Sequence, residues 1–128
     1  MSFLKKEFGN TGEKLAADFL VKNGYDILDK NYRVKNIGEI DIVAYKREKI
    51  VFFEVKTRNV SCETNFPIQF SINHKKKSNL KKICQVYLMN NKYLKNKEWQ
   101  VDALFVMSNS ENGFKIEHLE NILWEKYY

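Results

Sequence analysis

Four side chains able to bind a cation or move a proton stand inside what otherwise reads as two hydrophobic β-strands. They are Glu39 and Asp41 in GEIDIVAY, and Glu54 and Lys56 in IVFFEVKTR. The apolar, β-branched and aromatic residues around them suit a sheet. Acids clustered on a half-buried sheet face are costly unless they are paired, solvated or bound to a cation. Lys46-Arg47-Glu48-Lys49 joins the two segments. It lacks the Asn-Gly signal of the tightest hairpins, so a four-residue loop is expected over a two-residue one. Either length sets Tyr45 against Ile50, Asp41 against Glu54 and Glu39 against Lys56. One face then carries Glu39, Asp41, Val43, Tyr45, Ile50, Phe52, Glu54, Lys56 and Arg58. The other carries Ile40, Ile42, Ala44, Val51, Phe53 and Val55, all apolar. A slip of one residue would mix the charges into the apolar face, so the pattern selects the register.

Two accounts of that charged face stay open. In one it is a salt-bridged surface, with Lys56 and Arg58 neutralising Glu39 and Glu54; such cross-strand pairs are common and worth little. In the other, the opposition of Asp41 and Glu54 is relieved by a cation. Mg²⁺ takes hard oxygen ligands, usually one or two carboxylates plus waters and a phosphate. Lys56 on the same face could then position or activate a water, or meet phosphate charge in a transition state.

The elements that must position these residues follow from periodicity. Asn10 or Thr11 can cap a first helix that Gly24 ends, with Leu15, Ala16, Phe19 and Leu20 at helical spacing. Glu13 lies three, four and seven positions before Ala16, Ala17 and Leu20 and so shares their inward face, although an acid in a first turn also suits the helix dipole. Tyr25 to Arg33, Gly38 to Tyr45 and Ile50 to Arg58 read as an antiparallel meander, with a turn at Asn36-Ile37-Gly38. Residues 59–70, with Pro67, read as a loop. A second helix from about Ile72 to Met89 carries a stripe of Leu80, Ile83, Cys84, Tyr87 and Leu88. Trp99 to Met107 is a fourth strand, Asn109 to Gly113 a turn, Phe114 to His118 a short fifth strand, and the tail a short helix or irregular. This order implies one α/β domain over residues 1–128, a sandwich on a mixed sheet.

The chain has 128 residues, enough for a core without staples, and a net charge of +6. That excess of base favours a polyanionic partner only weakly. His74, Lys75, Lys76, Lys77, Lys81 and Lys82 crowd the start of the second helix, as phosphate contacts or as a solvated face. No apolar run reaches membrane-spanning length and the start has no signal-peptide core, so a cytoplasmic protein with no membrane partner is expected. Cys62 and Cys84 lack metal-ligand spacing and suit a reducing compartment. His118 among apolar neighbours reads as structural.

An acid on one strand followed by (Asp/Glu)-x-Lys on the next, here Asp41 and Glu54-Val55-Lys56, resembles the signature of the PD-(D/E)xK nuclease superfamily. The triplet alone is a weak signal. A longer pattern is more specific: Gly9-Asn10-Thr11-Gly12-Glu13, Ala16-Ala17, Gly24-Tyr25, Asn31-Tyr32-Arg33, Gly38-Glu39-Ile40-Asp41, Phe53 through Arg58, Lys76, Asp102 and Ile116-Glu117-His118. Over nearly the whole chain this resembles the YraN-like family of small bacterial proteins, related to archaeal Holliday-junction resolvases. Two positions depart from it: Gln100 stands where a basic residue is frequent, and Asn65-Phe66-Pro67 where a glycine is.

The resemblance implies a restriction-endonuclease-like three-layer sandwich with four to five strands, one helix before the meander and one after it. It implies a Mg²⁺-dependent endonuclease, with Mn²⁺ able to substitute, acting on DNA that is branched or damaged. Asp41, Glu54 and Glu13 would be the metal-binding acids and Lys56 the catalytic lysine. Glu39 would be a partner of Lys56 or a structural residue. Lys76, with Lys75, Lys77 and Arg58, would meet the nucleic-acid backbone. A homodimer would suit a junction with two scissile strands, and an unidentified protein partner is compatible with the same residues. Two alternatives stay open: a nucleic-acid-binding module without catalysis, and a protein-interaction adaptor whose acidic face is merely salt-bridged.

Overall fold

The computed structural model describes the backbone of residues 2–59, 74–109 and 113–123. The expected loop over residues 59–70, Cys62 and the tail beyond Leu123 lie almost wholly outside these residues. The chain order is α1 (Ser2–Lys22), β1 (Asp26–Val34), β2 (Gly38–Lys46), β3 (Lys49–Asn59), α2 (His74–Asn90), β4 (Glu98–Asn109) and β5 (Gly113–Leu119). A short 3₁₀ turn, Lys92–Leu94, precedes β4 and tucks Leu94 into the core.

The first helix begins eight residues before the expected caps. Gly9 and Gly12 each cost roughly 1 kcal/mol against alanine inside a helix, too little to stop one that packs on a sheet. Its end is where the sequence places it. Gly24 adopts φ +90°, Gly24 N–H donates to Val21 O (3.1 Å) and Tyr25 N–H to Leu20 O (3.0 Å). These are the paired bonds of a Schellman cap, which need a left-handed residue that glycine supplies without strain.

The five strands form one mixed sheet in the order β1-β2-β3-β4-β5. β3 and β4 are parallel, joined through α2, and the other pairs are antiparallel. Ala16, Ala17 and Leu20 of α1 cover one face with Ile42, Ala44, Val51, Phe53, Leu104 and Val106. Leu80, Ile83, Cys84 and Tyr87 of α2 cover the other with Val43, Ile50, Phe52 and Val101. This is the expected three-layer α/β/α sandwich, and Cys84 is core, as its place on the stripe implies.

The β2–β3 hairpin corrects the loop length. Tyr45 does face Ile50, but Lys46 also pairs with Lys49, leaving two loop residues. Arg47 and Glu48 both take positive φ, 52° and 65°. Those signs mark the primed turn whose twist matches that of the strands; here it is built without glycine or asparagine. The left-handed cost of roughly 1–2 kcal/mol per residue is outweighed by the ladder the turn closes.

Candidate active site at the parting of two strands

The β2–β3 ladder runs from Lys46–Lys49 to Ile42–Phe53 and stops there. Asp41 and Glu54, the next positions, are therefore not a ladder pair, nor are Glu39 and Lys56; both expected oppositions are corrected. The reason lies in Asp41 itself. Its Oδ2 accepts the backbone N–H of Val55 at 2.7 Å. A side-chain carboxylate thus takes a donor that a continuing ladder would have given to a main-chain carbonyl. Beyond this point β2 pairs only with β1, through Tyr32–Ile40, Arg33–Glu39 and Val34–Gly38.

Ile40 is displaced by the same event. The alternation assigned it to the face of Ile42 and Ala44, yet it packs with Val43, Ile50, Phe52 and Ile83 on the α2 side. On β1, Asn31 falls opposite Asp41, between the Lys30–Ile42 and Tyr32–Ile40 pairs, and takes φ 53°. Asparagine tolerates this left-handed conformation better than most residues. Two irregular residues thus flank one spot, and side chains from both helical layers converge on it.

From the α1 side comes Glu13, half-buried, as its spacing from Ala16, Ala17 and Leu20 requires. Gly12 lets the helix approach, because a Cβ there would overlap the Thr57 methyl of β3. Glu13 is within hydrogen-bond reach of Asp41. Two carboxyl groups can make that bond only by sharing a proton. The Asn31 amide, with its nitrogen turned to the acids, donates to Glu13 Oε1 and Glu39 Oε2, each at 3.1 Å. Glu39 also takes Arg33 Nη2 at 3.0 Å. Its β1 neighbour Arg33 thus gives Glu39 an ion-pair partner that the sequence did not single out.

From the α2 side comes Lys76, whose Nζ lies 3.0 Å from Glu54 Oε2. Glu54 is buried, at 7% exposure, so this lysine neutralises a charge that water barely reaches. Lys56 lies beside Lys76.

The acids outweigh their counter-charges. Burial, and then the charges of Glu54, Glu13 and Glu39, push the Asp41 carboxyl up to about 7, against the pull of its Val55 hydrogen bond. Burial and the charge of Glu39 also raise Glu13. Burial and the neighbouring Lys76 push the Lys56 ammonium down. Burial alone would push Lys76 down too, but its bond to Glu54 holds it up. A crowded carboxyl whose proton is held up toward neutral pH, beside hard oxygen donors, fits a divalent cation, which would replace that proton. Among the described residues no three His, Cys, Asp or Glu side chains are drawn together tightly enough to cage an ion. The fit is to an open site that one or two carboxylates share with water and a phosphate.

Arg58 is exposed near the end of β3, and Lys75, Lys76 and Lys77 lie in the first turn of α2. Asp102, part of the family-like pattern, belongs to another network. It is 1% exposed and accepts from Gln100 Nε2 (2.7 Å) and Asn121 N–H (2.9 Å), with His118 Nε2 at 2.7 Å from its other oxygen. His118 thus ties β5 to Asp102 of β4, a structural role, while the Asn121 N–H holds the segment after β5 to the same carboxylate. Asn31 is the residue that sequence reasoning left without a role; its only signal was its place in Asn31-Tyr32-Arg33. Among the described residues no helix is long and apolar enough to cross a membrane.

Comparison with known proteins agrees on one family. The profile of "Uncharacterised protein family UPF0102" matches residues 12–106, most of the chain. A UPF0102 protein of Alkaliphilus oremlandii is 39% identical over 120 residues, covering 92% of this chain and 98% of the relative. One from Caldicellulosiruptor bescii is 45% identical over 112 residues, covering 84% and 88%. UPF0102 protein TTE1452 of Caldanaerobacter subterraneus is 40% identical over 119 residues, 93% of each chain. The chain belongs to the UPF0102 family.

Proposed function

We propose that this UPF0102 protein is a Mg²⁺-dependent phosphodiesterase that cuts branched or damaged DNA in the cytoplasm, a member of the PD-(D/E)xK nucleases its YraN-like sequence resembles. One observation carries this reading. Glu13, Asp41 and Glu54, from three separate elements, crowd a point where Asp41 is short of counter-charge, with two lysines at its edge.

In this reading Asp41 and Glu54 hold Mg²⁺, or Mn²⁺ in its place, and Glu13 binds a second ion or orients a water. The bound ion would polarise a phosphoryl oxygen and acidify a water. The chain's own groups do the rest. Val55 N–H fixes the Asp41 carboxylate, so it is held in place without a rotamer search. Glu13, bridged by Asn31 to Glu39, is held in a fixed place. Lys56 is less firmly protonated than a free lysine, so its Nζ can hold the attacking water and exchange a proton with it. Lys76 limits the charge on Glu54, and with Lys75, Lys77 and Arg58 it offers positive charge to the DNA backbone.

The test is cleavage of a matched panel of single strand, duplex, flap and four-way junction with Mg²⁺ or Mn²⁺. The expected result is metal-dependent cutting that disappears in Asp41→Ala and in Lys56→Ala while the fold is retained. If both variants cut as well as the parent, the assignment is wrong.

A second reading rests on the Lys76–Glu54 ion pair and on the lack of a tight three-ligand cluster among the described residues. Here the same site is a nucleic-acid-binding module with no catalysis. It predicts salt-sensitive binding and no cutting with any divalent ion.

A further inference from the structure

Beside the acids, between the start of β2 and the first two turns of α2, runs a groove of about 280 Å³ lined by Ile37, Gly38, Glu39, Lys75, Lys76, Asn79, Leu80 and Ile83. Its walls differ in kind. Half-buried Ile37 presents the apolar floor, with the edges of the almost wholly buried Leu80 and Ile83 beneath it. Lys75 and Lys76 stand on one side, and Glu39, bonded to Arg33, on the other. Asn79 adds an amide with both a donor and an acceptor. Gly38 keeps the groove open at its β2 wall. Its φ of 147° suits glycine, and a Cβ there would come within 3.2 Å of Ile83 Cδ1.

A planar, uncharged ring with hydrogen-bonding edges and a phosphate attached on one side matches these walls. The ring lies on the aliphatic floor, its edge meets the Asn79 amide as base edges commonly meet asparagine, and the phosphate turns to the lysines and away from Glu39. A continuous duplex keeps its bases stacked and cannot supply such a ring without flipping one out. We infer that this groove holds the unpaired base of the nucleotide next to the reacting phosphate, so that the substrate must present at least one unpaired nucleotide at the site. The inference rests on the phosphodiesterase reading for the phosphate's position but concerns binding alone.

The test is therefore one of binding. The full chain is titrated, in EDTA and again with Ca²⁺, against a fluorescent eight-nucleotide thymidine strand and a fully abasic strand of equal length and charge. The thymidine strand is expected to bind about tenfold more tightly, the loss usual when one base contact is removed. In Asn79→Met, whose longer apolar chain fills the groove without an aromatic face for stacking, that ratio should fall toward one; Asn79→Ala, which leaves the floor intact, should lower it less. Equal affinity for the two strands, no binding of either, or a ratio unmoved by Asn79→Met overturns the inference. Its fate is separate from that of the catalytic reading. Cutting that is indifferent to bases would retain the nuclease and reject the groove. Base-dependent binding without cutting would do the reverse.

Discussion

Replacing Asp41 with asparagine should make this protein more stable at pH 8 and leave it unchanged at pH 4. The Asp41 carboxyl sits at about 7 in the folded chain, against 3.8 for the free group. Below pH 4 both states hold the proton and the site contributes nothing to the pH dependence. Between about 4 and about 7 the unfolded chain has released the proton and the folded chain still holds it. The folded state then binds more protons, so stability falls as pH rises through this window and levels off above it. Each pH unit costs at most ~1.4 kcal/mol, so the full loss is on the order of 4 kcal/mol, and about 2 kcal/mol if the acids relax apart. The substituted asparagine would carry no charge, its amide oxygen could still accept from Val55 N–H, and its amide nitrogen could donate to Glu13. In EDTA at pH 8 the variant should therefore melt roughly 6–20 °C above the parent, using ~3–5 °C per kcal/mol for a chain of this size. At pH 4 the two should agree within about 2 °C. Mg²⁺ at a hundred times its Kd should return about 2.7 kcal/mol to the parent at pH 8 and little to the variant. The measurement is a thermal melt at pH 4, 6 and 8 with EDTA or Mg²⁺. An asparagine variant no more stable than the parent at pH 8, or equally stabilised at every pH, would refute the picture of a carboxyl crowded by its neighbours.

Gly12→Ala would ordinarily strengthen a helix by up to about 1 kcal/mol, but here the added methyl meets Thr57 and should destabilise by roughly 1–3 kcal/mol. The double variant with Thr57→Ser, which removes the clashing methyl, should recover most of that in a denaturant titration. Asp102→Ala strips the bonds from Gln100, His118 and Asn121 at a buried position and should cost on the order of 3 kcal/mol or more, read from urea midpoints. Lys75→Ala should weaken binding of any DNA alike and lower the log–log salt slope by about 1, if it meets a phosphate; an unchanged slope in anisotropy titrations would remove it from the interface. Arg33→Ala breaks an ion pair whose arginine is largely exposed and should shift stability by less than about 1 kcal/mol in the same urea titration.

Much of this molecule follows from residue types and their spacing. Alternation along residues 38–58 pointed to the Tyr45–Ile50 register, because a slip of one residue would have put acids into the layer under α1. Helical spacing turned Glu13 inward beside Ala16, Ala17 and Leu20, and Gly24 ended the helix through a backbone conformation that glycine adopts freely. These are local rules, in which each residue's neighbours along the chain suffice. Tertiary structure decided what happens where such rules compete. Nothing in GEIDIVAY says that the ladder stops at Ile42, since that depends on the Asp41 carboxylate winning the Val55 N–H across the sheet. The same choice moved Ile40 to the other layer. It also left the acids to partners remote or unforeseen: Asn31 and Arg33 from β1, and Lys76 from α2. Pairings of this kind join residues distant in sequence, and their energy appears only once the sheet and both helical layers have packed. Periodicity could place each acid on its element, and only packing could bring the acids within reach of one another's charge.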